Sequence, residues 1–328
     1  MNNSIKLKWG IVGLGSIANK FAKDLQLVEG AELTAVASRS KENALSFAAQ
    51  YGVDKGYGTY KEIFEDEEVD IIYIATPHNS HASIGIEAMN HGKHVLCEKP
   101  LAVNASQVED MITAARENKV FLMEAFWSRF NPSIEKVLEL INDKEVGKIN
   151  YVNADFCFYG MDSVKSRVLS MDLAGGALLD IGVYPVFLSY VIFGVPEEIK
   201  ASSIFHQGGA DIQTAAILKY QNGLANLTCG FNSNSDMTAR IYGDNGSIFI
   251  DDQWHHAQGY SVVKDGISNH YSLPVQGTGF TFEIEECKSC ILSGKIESLK
   301  WSWRNSLELI KICDEIREQV GLKYPFES

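Results

Sequence analysis

The chain has 328 residues, 45% hydrophobic and 22% charged, an ordinary globular composition whose length makes two domains the default expectation. Its net charge of −13, from 42 acids against 29 bases with no Lys/Arg cluster, argues against a nucleic-acid partner and serves solubility. No uninterrupted run of about 18 apolar residues is present, so neither a transmembrane helix nor a membrane partner is expected.

The opening "MNNSIKLKWGIVG" lacks the apolar core and cleavage site of a signal peptide, which points to the cytoplasm. Its apolar stretch runs straight into a glycine turn, as a first strand does. Up to residue 125, apolar runs at 9–12, 32–37, 69–75, 94–97 and 120–124 alternate with helix-like segments. These are "SIANKFAKDLQLV", "SKENALSFAAQYG", "SHASIGIEAMNHGK" and "NASQVEDMITAARENK", with apolar residues at three-to-four spacing. Strands alternating with helices form parallel βαβ units, so the fold class is α/β with a sheet covered on both faces. Asn104 with Gln107 has the pattern of a capping box.

Beyond residue 130 the pattern changes. A helix, "PSIEKVLELIND", leads to an alternating strand, "KINYVNADFCFYG", and a second helix, "GALLDIGVYPVFLSYVIFG". Several strand-like runs follow, and "QNG" and "DNG" between apolar runs mark hairpins. This is an α+β domain with a large, mostly antiparallel open sheet and helices on one face. Helices over roughly 280–292 and 302–320 close the chain, and the domains divide as 1–125 and 126–328. Six cysteines in so long a chain make no disulfide framework. Cys287 and Cys290 form a C-x-x-C inside a helix without a second pair, and His78 and His81 lack an acidic third ligand. No metal is assigned to either.

Gly13-Leu14-Gly15-Ser16-Ile17-Ala18 follows a strand and opens a helix, the context in which such a pattern binds a dinucleotide. Gly13 permits the tight turn, Gly15 lets backbone N–H groups reach a pyrophosphate, and Ala18 is small enough for helix–strand contact. The helix N-terminus adds partial positive charge. An acid ending the second strand would bond a ribose 2′-hydroxyl; here Ser38-Arg39-Ser40-Lys41 stands there, favouring the 2′-phosphate of NADP, with NAD left open. Ser40 also reads as a helix cap. The loops "ATPHNSH" (75–81), "CEKPLA" (97–102) and "MEAFWSRFNP" (123–132) end the last three strands and should rim the nicotinamide. Lys99 at that mouth either polarises a carbonyl and depresses a neighbouring phenol's pKa, or pairs with Glu98 or a cofactor phosphate. Asp180 and Tyr184, four apart, share a helix face behind Gly175 and Gly176, which allow close approach. They are either a buried polar pair or a carboxylate and phenol presented to substrate.

"GIVGLGSIA", "ATPHNSH", "EKPLA", "AFWSRFNP", "GGALLDIGVY" and "GLKYPFES" together resemble the Gfo/Idh/MocA family of NAD(P)-dependent oxidoreductases over nearly the whole chain. The similarity is greatest to the branch of dimeric dihydrodiol dehydrogenases, D-xylose dehydrogenases and glucose-fructose oxidoreductase. Inositol-dehydrogenase-like members have His where this chain has Tyr184, which points away from inositol. The resemblance implies a Rossmann domain, then an α/β domain whose open sheet face, strands 197–275, forms a homodimer. It implies hydride transfer between a sugar or vicinal-diol hydroxyl and the nicotinamide, with substrate held between the domains. Tyr184 is then the acid/base, Lys99 its cationic partner, and Asp180 the group that positions the polyol, with no metal needed. Gly13, Gly15, Ser16, Ile17, Ser38, Arg39, Thr76, Pro77, His78, Asn79, His81, Glu98, Lys99, Trp127 and Arg129 are the expected cofactor contacts. Trp127 and Arg129 also read as braces. Phe158, Tyr159 and Trp254, in the 151–162 and 251–260 segments, are candidates for the pocket wall or for core. A non-catalytic NADP-binding redox sensor is the alternative; it would need the glycine turn but neither Lys99 nor Tyr184.

Overall fold

In the computed structural model, which describes residues 6–161 and 166–327, the run before the glycine turn is strand β1 (Leu7–Val12). Helix α1 (Ser16–Leu25), β2 (Ala31–Ala37) and α2 (Lys41–Tyr51) follow. Next come β3 (Lys55–Tyr57), α3 (Tyr60–Phe64) and β4 (Ile71–Ile74). The series continues with α4 (His81–Asn90), β5 (His94–Glu98), α5 (Ala105–Asn118) and β6 (Leu122–Ala125). The strands form one parallel sheet in the order β3-β2-β1-β4-β5-β6. Strand order reverses between β1 and β4, the switch point at which such sheets bind ligands. Strand β3 and helix α3 were not expected; three and five residues are too short to show a period, and α3 rests on the Thr59–Glu62 capping box. At α5 the Asn104 side chain accepts from the Gln107 N–H at 3.0 Å. The Gln107 side chain reaches back to the Val103 N–H at 3.2 Å, one residue beyond the expected box. Fully buried Phe21 stacks on Tyr73, with ring centroids 3.6 Å apart, and ties α1 to β4.

The second unit opens with α6 (Pro132–Asn142), β7 (Ile149–Cys157) and α7 (Val183–Phe193). Strands β8 (Glu198–Phe205), β9 (Asp211–Tyr220), β10 (Gly223–Gly230) and β11 (Ala239–Gly243) come next. Then follow β12 (Gly246–Ile250), β13 (Gly259–Lys264) and β14 (Ile267–Ser272). All eight strands join in the order β14-β13-β12-β11-β7-β10-β9-β8, antiparallel except for β7 beside β10. The expected hairpins turn on Gln221-Asn222 and Asp244-Asn245. A third turns on Asp265-Gly266, whose φ values of 51° and 76° suit a type I′ turn. Along β9 burial alternates, with Thr214, Ala216, Leu218 and Tyr220 inward and Ala215, Ile217 and Lys219 exposed. Helices α6 and α7 pack on strands of this sheet.

The stretch Met171–Phe193 has a mean hydropathy of 1.7 and, by length and composition, is apolar enough to cross a membrane, against the expectation from sequence. Of that window 78% is buried inside the protein, as in a core helix. The sheet it covers supplies the apolar surroundings.

Helices α8 (Thr281–Leu292) and α9 (Trp303–Val320) end the chain. The described residues up to Trp127 cluster with Gln276–Leu307, while Ser128–Val275 cluster with the residues from Glu308 onward. The return to the first unit is hydrogen-bonded. Buried Asp24 accepts from the Thr278 N–H, the Thr278 hydroxyl and the Phe280 N–H at 2.9–3.0 Å. Leu122 donates to the Ile296 carbonyl and accepts from the Trp303 indole N–H, each at 3.0 Å.

Candidate active site

Each unit carries its own part of the expected chemistry. In the first, Gly13 has φ +88°, and a Cβ there would lie 2.7 Å from the Ala75 carbonyl. Only glycine fits that turn. Gly15 caps α1 without a side-chain hydrogen bond, and a Cβ on it would meet nothing within 4 Å. Ser16 is exposed, Ile17 half-buried, and Ala18 fully buried against the sheet. The first amides of α1 therefore face open space with no intrahelical partner, a cradle that fits a pyrophosphate. Gly15→Ala should leave the thermal stability of the cofactor-free protein within about 1 °C, since the methyl touches nothing, while NADP affinity falls about tenfold or more. Calorimetry paired with a cofactor titration checks both halves.

At the end of β2 the Ser38 N–H donates to the Tyr57 carbonyl at 3.1 Å, and its hydroxyl accepts from the Ser40 N–H at 3.3 Å. Ser40 caps α2 through the Asn43 N–H. Lys41 lies over the Tyr57 ring at 5.8 Å. Arg39 is exposed, and among the described residues no carboxylate pairs with it. Arg39 and Lys41 place two cations just past β2, and no acid ends that strand, which suits a phosphate dianion.

The loops after β4 and β5 are pinned around Lys99. The Ser80 hydroxyl donates to the Pro77 carbonyl at 2.8 Å and lies 2.9 Å from the Thr76 hydroxyl. Asn79 is half-buried and His78 buried. His81 was expected at the cofactor, but it is wholly buried, with its ring nitrogens 2.9 Å from the Pro100 and Thr76 carbonyls. It has no surface left for a ligand and instead ties the two loops together. Glu98, 7% exposed, accepts from the Tyr73 hydroxyl at 2.5 Å and from the Lys99 N–H at 3.3 Å. Burial and the Glu98 charge push the Tyr73 phenol well above its ordinary value, so it remains a donor. Buried Glu124 accepts from the Leu101 N–H at 2.9 Å and the Trp301 indole at 3.0 Å. Tyr73, Glu124 and Trp301 were not singled out from sequence, because only the sheet brings them to this loop. Half-buried Lys99 thus projects from a segment fixed on both sides.

Trp127 stacks on Phe280 at 5.0 Å within the first unit, and Arg129 pairs with Glu135 at 3.4 Å within the second. Each side chain is ordered by a contact within its own unit. Cys287 and Cys290 are buried, and burial pushes the Cys290 thiol up to about 11.

In the second unit Asp180 lies in a π-turn, Leu178–Gly182, that runs into α7. The Val183 N–H reaches back to the Leu178 carbonyl, five residues away. Just beyond the wide turn Pro185 has no N–H to offer the Ile181 carbonyl, so the α-helical ladder is interrupted there as well. Asp180 is half-buried and Tyr184 5% exposed. The Tyr184 ring lies 5.4 Å from Phe156 and 5.7 Å from His255, and His255 stacks on Phe156 at 4.3 Å. His255 and Phe156 were missed as neighbours of Tyr184. The only signal was that His255 falls in the 251–260 segment and Phe156 in the 151–162 segment. Of the suggested wall residues, Trp254 is fully buried with its indole N–H on the Asp155 carbonyl, Phe158 packs on Phe231, and Tyr159 is 50% exposed. Residue 162 lies outside the described residues.

The parallel sheet, the open glycine cradle and the acid-free β2 end define a dinucleotide-binding unit. A model of the "Oxidoreductase family, NAD-binding Rossmann fold" matches residues 7–126, and one of the "GFO/IDH/MocA C-terminal domain" matches residues 134–249. The chain belongs to the Gfo/Idh/MocA oxidoreductase family. It is 36% identical to a trans-1,2-dihydrobenzene-1,2-diol dehydrogenase of Danio rerio, over 98% of this chain and 99% of that one. It is 33% identical to the scyllo-inositol 2-dehydrogenase (NADP(+)) IolU of Bacillus subtilis, over 98% and 99%. Among solved structures, an aldose-aldose oxidoreductase from Caulobacter crescentus complexed with glycerol superposes with a TM-score of 0.88 at 25% identity, covering 96% and 98% of the chains.

Proposed function

We propose that this chain is an NADP-dependent dehydrogenase acting on a hydroxyl of a sugar, cyclitol or vicinal diol. The observation that carries the reading is the Lys99 loop, held by Glu98, His81 and Glu124 so that one cation is presented in fixed geometry. A sensor of redox state has no need of such a cation, and the relatives are named as dehydrogenases. The scyllo-inositol relative brings cyclitols back into the substrate class, although Tyr184 had pointed away from them.

Bound NADP supplies the hydride acceptor in the oxidative direction. Gly13, Gly15, Ser16 and Ile17 hold its pyrophosphate, Ser38 and Arg39 its 2′-phosphate, and Thr76, Pro77, His78 and Asn79 face its nicotinamide half. Lys99 stabilises negative charge on the reacting oxygen, Tyr184 moves the proton, and Asp180 orients a neighbouring hydroxyl. Mixing the protein with NADP+ and a panel of pyranoses, cyclitols and vicinal diols should yield reduced cofactor with at least one class. Tight NADP binding with no reduction across the whole panel would establish the sensor instead.

The second unit serves substrate binding and self-association in this reading. Ile217 and Leu224 are 51% and 46% exposed on the outer sheet face, and Tyr151 stacks on Tyr242 across neighbouring strands at 5.6 Å. A contiguous apolar stripe on one sheet face calls for cover, and a second copy of the chain supplies it. Sedimentation at micromolar concentration should give a dimer, and Ile217→Asp a monomer; a wild-type monomer sinks the assignment. Six free, buried cysteines support a reducing, cytoplasmic location.

A further inference from the structure

The helix that carries Asp180 and Tyr184 begins without a cap of its own. Gly175 and Gly176 precede it and Ala177 stands at the cap position, so no side chain there accepts a hydrogen bond from the helix amides. Unsatisfied amides at a buried helix start are costly, and the usual remedy is a Ser, Thr, Asp or Asn at the turn. Here the oxygen comes from another strand. Asp211, at the start of β9 and fully buried, accepts from the Leu178 N–H at 2.8 Å across 33 residues of sequence. The same oxygen accepts from the Thr214 hydroxyl at 2.7 Å.

The glycines before the helix make this possible. Gly176 has φ +133°, and a Cβ there would lie 2.1 Å from Asp211 Oδ1. At Gly175 a Cβ would lie 2.6 Å from the Val168 carbonyl. Backbone bonds fix the approach: Gly175 donates to Ser170 at 2.9 Å, Gly176 to Val168 at 2.8 Å, and the buried Tyr324 hydroxyl to the Gly175 carbonyl at 3.0 Å. Burial raises the Asp211 carboxyl above its ordinary value, while Thr214, Leu178 and Ala177 favour the charged form. A carboxylate at a helix N-terminus also meets the favourable end of the helix dipole.

We propose that Asp211 is a positioning residue for the reaction: its carboxylate caps the helix bearing Asp180 and Tyr184, and Gly176 is glycine to admit it. The cap fixes the register of the π-turn, whose hydrogen bonds set where Asp180 leaves the helix and where Tyr184 follows one turn later. The kinetic half of this proposal rests on the reading of Tyr184 as proton carrier; the structural half does not.

The test measures both. Hydrogen exchange of the peptide spanning 174–184 reports the cap directly, and Asp211→Ala should speed it while exchange in the β1–α1 segment stays unchanged. Turnover should fall about 10- to 100-fold with NADP affinity intact, the scale expected when a reacting group is displaced by about an ångström. Asp211→Asn, which keeps an acceptor for Leu178 and Thr214, should recover most of that loss. In a Tyr184→Phe background Asp211→Ala should cost less than in the wild type, because Tyr184 has no proton left to move and only Asp180 is still displaced. Gly176→Ala, which evicts the carboxylate without changing it, should reproduce the Asp211→Ala exchange and turnover, and serves if that variant does not fold. Unchanged exchange over 174–184 in both variants, or equal losses of turnover in the wild-type and Tyr184→Phe backgrounds, overturns the proposal. A Tyr184→Phe enzyme with full turnover overturns the functional reading instead, and the exchange result then judges the cap alone.

Discussion

Tyr184→Phe should lower turnover by about 10²–10⁴-fold, the usual contribution of a positioned acid/base, with NADP affinity nearly unchanged. The substitution keeps the ring that lies 5.4 Å from Phe156 and 5.7 Å from His255, so packing survives and only the hydroxyl is lost. A phenol ordinarily titrates near 10, so moving its proton at neutral pH needs a cation that favours the phenolate. Lys99 is proposed to stabilise charge on the reacting oxygen. Lys99→Ala should therefore cost at least as much. Steady-state rates with cofactor titrations on both variants check this. Turnover within about threefold of wild type in Tyr184→Phe would remove Tyr184 from the mechanism and leave the proton to Lys99 or to a water held by Asp180.

Arg39→Ala should weaken NADP binding by about 2–5 kcal/mol, the scale for truncating one member of a close charge pair in a partly desolvated setting, and leave NAD binding nearly unchanged. The exposed guanidinium has no carboxylate competing for it among the described residues, so its charge is available to a 2′-phosphate. Calorimetric titration of both cofactors against both proteins is the measurement. Equal losses for NADP and NAD, or a wild type that prefers NAD, would contradict the assignment of Ser38 and Arg39.

Both predictions start from residues legible in the sequence, for a shared physical reason. The glycine turn, the acid-free end of β2 and the Asp180–Tyr184 spacing are local patterns, written in consecutive residues whose backbone demands are specific. Hairpins at Gln221-Asn222 and Asp244-Asn245 were legible in the same way. Groups that act across the fold were not. His81 reads as a polar loop residue until Pro100 and Thr76 close on it, and Asp211 reads as the start of a strand until a helix of the same unit arrives at its oxygen. The π-turn left a trace in Pro185, but a proline near a helix start is too common to predict a widened turn. Residues 280–292 read as a helix, and the sequence carried no information about which unit that helix joins.

The return of Gln276–Leu307 to the first unit bears on how the protein is made. As the chain leaves the ribosome, the six strands of the first sheet are complete long before Trp301 and Trp303 are synthesised. Until then Glu124 lacks its indole donor and Asp24 lacks Thr278 and Phe280, so two carboxylates of this unit wait for donors that come late in the chain. Domains usually fold in order as they emerge. Here the nucleotide-binding unit closes only after the whole of the other sheet has been translated, and a stop codon after residue 127 yields a fragment with an unfinished interior rather than a smaller nucleotide-binding protein.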